Sequence, residues 1–384
     1  MSPPAESRSI FFIAGEASGD AHAADVITAI KVRAPDVHCF GAGGPKMRGA
    51  GMELALDLTE HAVLGLVEVL RNYFKFRRFF HQMLDLVAER KPAAVVLVDY
   101  PGFNLRFAKA LRRRFRDGAY RPRVIYYISP QVWAWAERRV RLIERCVNLV
   151  ISIFPFEKAW YAKRAPQLRV EFAGHPMISR FAGKRVGNPE PRVESVVALL
   201  PGSREREVRA HWPILRDAVQ NVLRTTKARI VVLAATDRIE SFLREHGAAE
   251  FEISRHGVET LNRATVAIAA SGTATLECAY FGVPTVVIYK VAWPTYLVGR
   301  MLVKVSHLAM PNVLAGETIY PEFIQHHARP GAIAESALAL LQDEARRQRM
   351  KIKLAEVIAS LGGEGASERA ADLVLGEVGP KATG

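Results

Sequence analysis

Cysteine is scarce in this chain. Cys39, Cys146 and Cys278 are the only three in 384 residues, and they are widely separated. Neither a disulfide framework nor a thiolate metal site can be built from them, so a reducing, cytoplasmic setting is expected. Long apolar runs are also missing. Nothing approaches the ~20 residues that span a bilayer, and the apolar stretch before Gly15 is too short for a signal peptide. Any membrane contact should therefore be peripheral. There is no GxGxxG and no GK[ST], which removes the usual dinucleotide fingerprint and the phosphate loop. No His/Cys cluster has metal-ligand spacing. Acid is in deficit: 39 Asp and Glu face 53 Lys and Arg, for a net charge of +14. Such an excess calls for an anionic partner, whether nucleic acid, an anionic membrane surface or phosphorylated small molecules.

What the chain does have is a repeated alternation of short apolar runs with helical patterns. Runs at 9–14, 93–98, 123–128, 149–153 and 170–173 form one series. Runs at 196–200, 229–234, 251–254, 266–270 and 285–289 form a second. Most are continuous Val, Ile, Leu and Ala rather than alternating, the mark of parallel strands covered on both faces. The fold class is α/β, with two doubly wound parallel-sheet, Rossmann-like domains facing a cleft. The break is at 180–192, where Gly183, Gly187, Pro189 and Pro191 interrupt charged residues. This gives a first domain over 1–182, a second over 193–345 and a helical tail over 346–384. The tail has two candidate homes, the first domain or a second subunit in a homodimer.

In open parallel sheets ligands bind beyond the carboxyl ends of the strands, so the residues just after each strand carry the functional information. Ser271-Gly272-Thr273-Ala274-Thr275-Leu276-Glu277 follows the run 266–270. It reads as a small-residue turn into a helix whose free N–H groups suit a diphosphate, with Glu277 one turn in, where a carboxylate can accept from ribose hydroxyls. Gly202-Ser203-Arg204 follows the run 196–200 and offers turn N–H groups and a guanidinium to phosphate. A solvated turn explains the same residues, given Glu205, Arg206 and Glu207 next to them. Gly15-Glu16-Ala17-Ser18-Gly19-Asp20 follows the first run. Ser18 or Asp20 is expected to cap a helix starting near Ala21, which leaves Glu16 without a capping duty and a candidate for the cleft. Asp99 follows the run 93–98. It is placed for a general base or, with Pro101 behind it, for a helix N-cap.

Residues 66–87 form an amphipathic pattern, with Leu66, Val69, Leu70, Tyr73, Phe76, Phe80, Leu84 and Val87 on one face. Phe74 and Phe79 fall off that stripe among Arg77 and Arg78, as an interfacial helix on an anionic membrane requires. Ordinary solvated helix surface is the competing reading. Further basic residues run along 106–116 and at Arg138, Arg139 and Arg141. No nucleic-acid-binding motif accompanies them, so nucleic acid is not the expected partner. Trp133 and Trp135 either stack on a sugar or cover the core, and His175 reads as a hinge or core residue.

Taken in order, GEASGD at 15–20, GGPKMRGAGM at 43–52, LGLVEVL at 64–70, VDYPGFN at 98–104, SPQVWAW at 129–135, FPFE at 154–157, GHP at 174–176, LPGSRERE at 200–207, SGTATLE at 271–277, MPNVLAG at 310–316 and PEFIQ at 321–325 resemble the lipid-A-disaccharide synthases. These are inverting glycosyltransferases of the GT-B type, and the resemblance covers nearly the whole chain. It implies transfer of 2,3-diacylglucosamine from UDP-2,3-diacylglucosamine to 2,3-diacylglucosamine 1-phosphate, giving the β-1,6 disaccharide 1-phosphate and UDP. The family's catalytic aspartate falls on Asp99. Glu16 matches an acidic position, and Arg204, Thr273, Thr275, Glu277, Asn312 and Gln325 match the nucleotide-side motifs. Two positions depart from the family's usual pattern: Gly102 stands where a second acid is common, and Ala136 where a basic residue is common. The sequence lacks the Asp-x-Asp pair with which many sugar-nucleotide transferases hold a metal, so neither metal nor cofactor is expected. The resemblance also implies peripheral attachment to the inner face of the inner membrane. A UDP-N-acetylglucosamine 2-epimerase is the alternative enzyme with the same two-domain architecture.

Overall fold

The computed structural model describes residues 8–58, 73–185, 194–291, 293, 296 and 305–379. The chain divides into two compact units, one made of residues 1–179 and 362–384 and the other of residues 180–361. Each is built on an all-parallel sheet.

In the first unit the strands are β1 (Ser9–Ala14), β2 (His38–Gly43), β3 (Glu53–Asp57), β4 (Ala94–Val98), β5 (Arg123–Tyr127), β6 (Leu149–Ser152) and β7 (Arg169–Phe172). Their spatial order is β3-β2-β1-β4-β5-β6-β7. β1 and β4 pair in register from Ile10 opposite Ala94 to Ala14 opposite Val98. All of β1 and β4 is buried, as expected for strands with helices on both faces. Phe11, Phe40, Phe107 and Tyr126 anchor one core layer. The second unit holds β8 (Val196–Leu200), β9 (Arg229–Leu233), β10 (Glu252–Ser254), β11 (Val266–Ala270), β12 (Thr285–Tyr289) and β13 (Glu322–Ile324). Their order is β10-β9-β8-β11-β12-β13.

Both sheets reverse their winding once. The chain runs outward from β1 to β3 and restarts at β4 beside β1. In the second unit it runs from β8 to β10 and restarts at β11 beside β8. Crevices open at such reversals, because the loops leaving the two neighbouring strands diverge. The loop after β1 carries Glu16 and that after β4 carries Asp99. The loop after β8 carries Arg204 and that after β11 carries Ser271 to Glu277.

Three strands escape a reading by apolar runs. β2 contains two glycines and no β-branched residue, β3 has only three apolar residues between two acids, and β13 has three residues. The helices of the expected tail 346–384 fall in both units. The helix Glu344–Ser360 packs on the helix Thr273–Tyr280 within the second unit, whereas Ala366–Val378 packs on Ala17–Arg33 within the first. Gly362, left-handed at φ 84, lies between these two helices. Beyond it, Arg369 donates to the Ala173 carbonyl at 2.8 Å, and Arg123 and Arg169 both pair with Glu377.

The expected amphipathic segment 66–87 falls partly outside the described residues, as does the side chain of Phe74. A helix spans Tyr73–Arg90. Met83, Leu84 and Val87 are buried, and Phe80 meets Phe103 and Phe107 at 5.4 Å each. Arg77 and Arg78 are exposed and Phe79 is half-buried.

Candidate active site

In the first unit the site grows from an unusual backbone. Asp99 and Tyr100 both take left-handed conformations, φ 46 and 48, which non-glycine residues adopt at a cost of roughly 1–3 kcal/mol each. Hydrogen bonds hold the turn in place. The Asp99 N–H donates to the Tyr127 carbonyl at 3.0 Å. The Asp99 carbonyl accepts from Asn104 Nδ2 at 2.8 Å and from the Tyr126 hydroxyl at 2.6 Å. Tyr100, not Asp99, is the N-cap of the helix Pro101–Arg114. That removes the capping explanation for Asp99 and leaves its carboxyl free of that task. Burial pushes the carboxyl pKa up, the nearby Glu16 carboxylate pushes it further, and the Tyr100 N–H opposes both. Such a carboxyl is more basic than a solvated one, which suits a proton acceptor.

Gly15 fits against the Tyr100 ring so closely that a Cβ there would lie 2.3 Å from Cδ1. Asp20 does not cap its own helix, which begins at Ala17 rather than near Ala21. It is buried and accepts from the Gly44, Lys46 and Met47 N–H groups at 2.8, 3.0 and 3.1 Å. Three donors reward that carboxylate more than one capping bond would, and they tie the GGPKM loop to the helix Ala17–Arg33. Ser18 is exposed.

In the second unit Gly202 has φ 129, and a Cβ there would meet Glu207 at 3.0 Å. Ser203 and Arg204 are exposed, and Arg204 reaches Glu207 at 3.4 Å. His211 fixes the loop from beneath. The Lys290 N–H donates to Nε2 at 3.1 Å, so the proton sits on Nδ1, which donates to the Pro201 carbonyl at 2.9 Å. The exit of β8 is thereby tied to that of β12. Gly272 is the N-cap of the helix Thr273–Tyr280, and open space surrounds its Cα hydrogens. Glu277 is half-buried; burial raises its pKa, and Arg180, 4.0 Å away, opposes the rise.

Four of the expected binding residues spend their side chains on the protein itself. The Ser271 hydroxyl donates to the Leu308 carbonyl at 3.1 Å, and Thr275, fully buried, donates to the Gly272 carbonyl at 2.8 Å. The Asn312 amide donates to the Tyr320 carbonyl and to Glu322, each at 2.8 Å, and accepts from the Ile319 and Tyr320 N–H groups. Gln325 exchanges two bonds with the Val291 backbone. Their geometry is that of residues that set loop shape. Thr273 opens its helix.

Residues 10–375 match the family described as Lipid-A-disaccharide synthetase. The chain belongs to the lipid-A-disaccharide synthase family. A lipid-A-disaccharide synthase 1 of Legionella pneumophila is 36% identical over 97% of this chain and 98% of its own length. A lipid-A-disaccharide synthase of Nitrosococcus oceani is 38% identical over 95% of each. The chain is therefore a glycosyltransferase of lipid A biosynthesis. Among solved structures, MurG of Acinetobacter baumannii aligns with a TM-score of 0.56 at 13% identity, covering 96% of this chain and 99% of that one. A UDP-GlcNAc 2-epimerase of Neisseria meningitidis bound to UDP-GlcNAc aligns with a TM-score of 0.59 at 11%, covering 96% and 99%. At such identities they show the shared GT-B architecture alone, so the epimerase alternative retains fold likeness only.

Several residues in the two units have a role that the sequence does not show. Arg180 belongs to a stretch that reads as linker, and Tyr126 and His211 read as ordinary strand or helix residues. Asn104 closes the motif VDYPGFN without a role of its own there, and so does Glu157 in FPFE. Glu157 is fully buried, accepts from Trp133 Nε1 at 3.0 Å and from the Phe154 N–H at 3.4 Å, and so pins the loop after β5. Burial pushes its pKa from 4.5 up to about 8 against those bonds. A carboxyl whose folded pKa lies above its unfolded one stabilises fully below the unfolded pKa and loses that contribution as pH rises. Between pH 4.5 and about 8, the wild type should lose stability relative to Glu157→Gln, with a slope of up to roughly 1.4 kcal/mol per pH unit. Thermal melts of both proteins across that window check this, and parallel pH profiles would show Glu157 ionised throughout.

Proposed function

We propose that the protein transfers 2,3-diacylglucosamine from UDP-2,3-diacylglucosamine to the 6-hydroxyl of 2,3-diacylglucosamine 1-phosphate, with inversion and with Asp99 as general base. In this reading the acceptor O6 forms a bond to the anomeric carbon of the donor. The anomeric carbon–phosphate oxygen bond breaks, its electron pair leaves with UDP, and the O6 proton passes to Asp99. The observation that carries the reading is Asp99 itself. It is a carboxyl at the winding reversal of its sheet, relieved of capping and raised in pKa by burial and by Glu16.

Arg204 and the N–H groups of Thr273–Tyr280 would meet the charge that develops on the leaving diphosphate. Glu277, one turn into that helix, would accept from the ribose hydroxyls. Gly202, Ser203 and Gly272 would let the backbone approach the phosphates, while Ser271, Thr275, Asn312 and Gln325 would hold the surrounding loops. The test is a transferase assay in detergent micelles with EDTA present, wild type beside Asp99→Asn. Disaccharide from the wild type is expected. Its absence from folded, UDP-binding wild type would overturn the reading and leave an epimerase-like activity to be assayed.

Both substrates are anionic and acylated, so the enzyme must work at a membrane surface. No described helix is long and apolar enough to cross one. The exposed Arg77 and Arg78, on a helix whose other face is buried, are proposed as peripheral contacts to anionic lipid at the inner face of the inner membrane. Each cation near such a surface is worth about 1 kcal/mol. Arg77→Glu/Arg78→Glu should then lower partitioning onto phosphatidylglycerol vesicles by at least about 30-fold. Unchanged sedimentation with vesicles would remove this helix from the contact.

A further inference from the structure

The segment after β5, with its short helix Val132–Trp135, carries two tryptophans with opposite fates. Trp133 is buried and tied to Glu157, whereas Trp135, two residues on, is 41% exposed. The Arg139 guanidinium lies over the Trp135 ring, 4.9 Å from its centroid. Two backbone bonds set that overlap: Ala136 N–H to the Val132 carbonyl at 3.0 Å, and Arg139 N–H to the Ala136 carbonyl at 2.8 Å. Among the described residues Arg139 has no carboxylate at ion-pair distance. Glu137, the nearest acid in sequence, pairs with Arg164 at 2.6 Å.

This pair sits on the same sheet edge as Asp99. β5 is the neighbour of β4, and Tyr126 near the end of β5 donates to the Asp99 carbonyl. The buried Tyr126 hydroxyl is raised in pKa first by burial and then by the Asp99 charge, and Arg139 works in the opposite direction, so both charges reach one phenol. The edge thus holds two carboxylates, Glu16 and Asp99, that would repel an anionic substrate, and a guanidinium, without an acid partner among the described residues, that would offset them. Arginine suits phosphate because its fork donates bidentately, and stacking on an indole orders it before a ligand arrives. An exposed indole in turn offers an apolar face to a sugar ring.

We propose that Arg139, braced on Trp135, anchors the phosphate of the acceptor sugar, and that Trp135 packs against the ring of that sugar. The assignment rests on the synthase reading above and adds to it the group that selects a phosphorylated acceptor.

The experiment measures binding by calorimetry on the full chain in neutral detergent micelles. The titrants are 2,3-diacylglucosamine 1-phosphate, unphosphorylated 2,3-diacylglucosamine, and phosphatidylglycerol as a phosphate-bearing lipid without a sugar. A charge-assisted hydrogen bond contributes roughly 1.5–3 kcal/mol, so the wild type should prefer the phosphorylated sugar by about 10- to 150-fold. Arg139→Gln should abolish that preference, Arg139→Lys should restore part of it, and Trp135→Leu should weaken both sugars. UDP binding, which reports on the second unit and on folding, should not change. Preference for the phosphorylated sugar that survives in Arg139→Gln overturns the proposal, as does its absence from the wild type. An equal loss of sugar phosphate and phosphatidylglycerol binding also overturns it, by making Arg139 a general membrane contact. Wild type that binds the phosphorylated sugar selectively yet forms no disaccharide would count against the synthase reading and not against this one.

Discussion

Asp99→Asn should lower kcat by roughly 10²–10⁴-fold, the range that a positioned general base contributes, while leaving the affinity for UDP unchanged. Asparagine is the informative replacement. It keeps the size of the side chain and tolerates the left-handed backbone at φ 46, which a β-branched or bulky residue would not. A loss of rate therefore reports on the missing proton acceptor and not on a collapsed turn. The pH profile gives a second reading of the same residue. The base works only when ionised, and burial with the Glu16 charge raises its pKa, so the acid limb of kcat/KM should lie above the ordinary carboxylate range. Glu16→Gln removes the like charge but not the burial. The limb should move to lower pH and stop short of the solvated value. A limb that does not move in Glu16→Gln, or wild-type turnover in Asp99→Asn, would assign the proton to another group.

The division of the chain into two wound sheets was legible because parallel strands buried on both faces are written as unbroken apolar runs. The run 94–98 cannot be read as anything half-exposed. β2 was not legible for the converse reason: its glycines let strands approach closely and contribute no apolar side chain to a pattern. At Gly41 a Cβ would lie 2.1 Å from the Phe12 carbonyl oxygen, so glycine there answers to a neighbour distant in sequence. The same holds for the site. Asp99, Glu16, Arg204 and Glu277 stand out as candidates because they follow strands, where a doubly wound sheet places its ligands. Tyr126 and His211 do not, because their role is to bond the backbone of another element. Asp20 was misassigned for that reason too. A carboxylate near a helix start has a local use, and only the folded chain shows three N–H groups from residues 44–47 gathered on it. Arg139 reads in the sequence as part of a basic run; its seat on Trp135, and its having no acid partner among the described residues, are properties of the fold.

Gly15→Ala should lower kcat by about 10²-fold although it touches no substrate-binding side chain directly. The added methyl group would lie 2.3, 2.6 and 2.7 Å from Cδ1, Cε1 and Cγ of Tyr100. Contact so near the base of the ring cannot be relieved by swinging a flexible tip, so Tyr100 must move as a whole. Tyr100 shares its left-handed turn with Asp99, and its N–H acts on the pKa of that carboxyl. Displacing one therefore displaces the other, and a shift of about 1 Å in a reacting group is enough for a loss of that order. The argument makes a further demand. If the methyl group acts through the ring, then in a Tyr100→Ala background there is nothing left for it to strike, and Gly15→Ala should cost less than about 3-fold. Strong coupling between the two substitutions, with both single variants binding UDP normally, would locate the effect in the Asp99 turn. Additive losses would instead mean that Gly15 matters through its own backbone, as part of the turn that delivers Glu16.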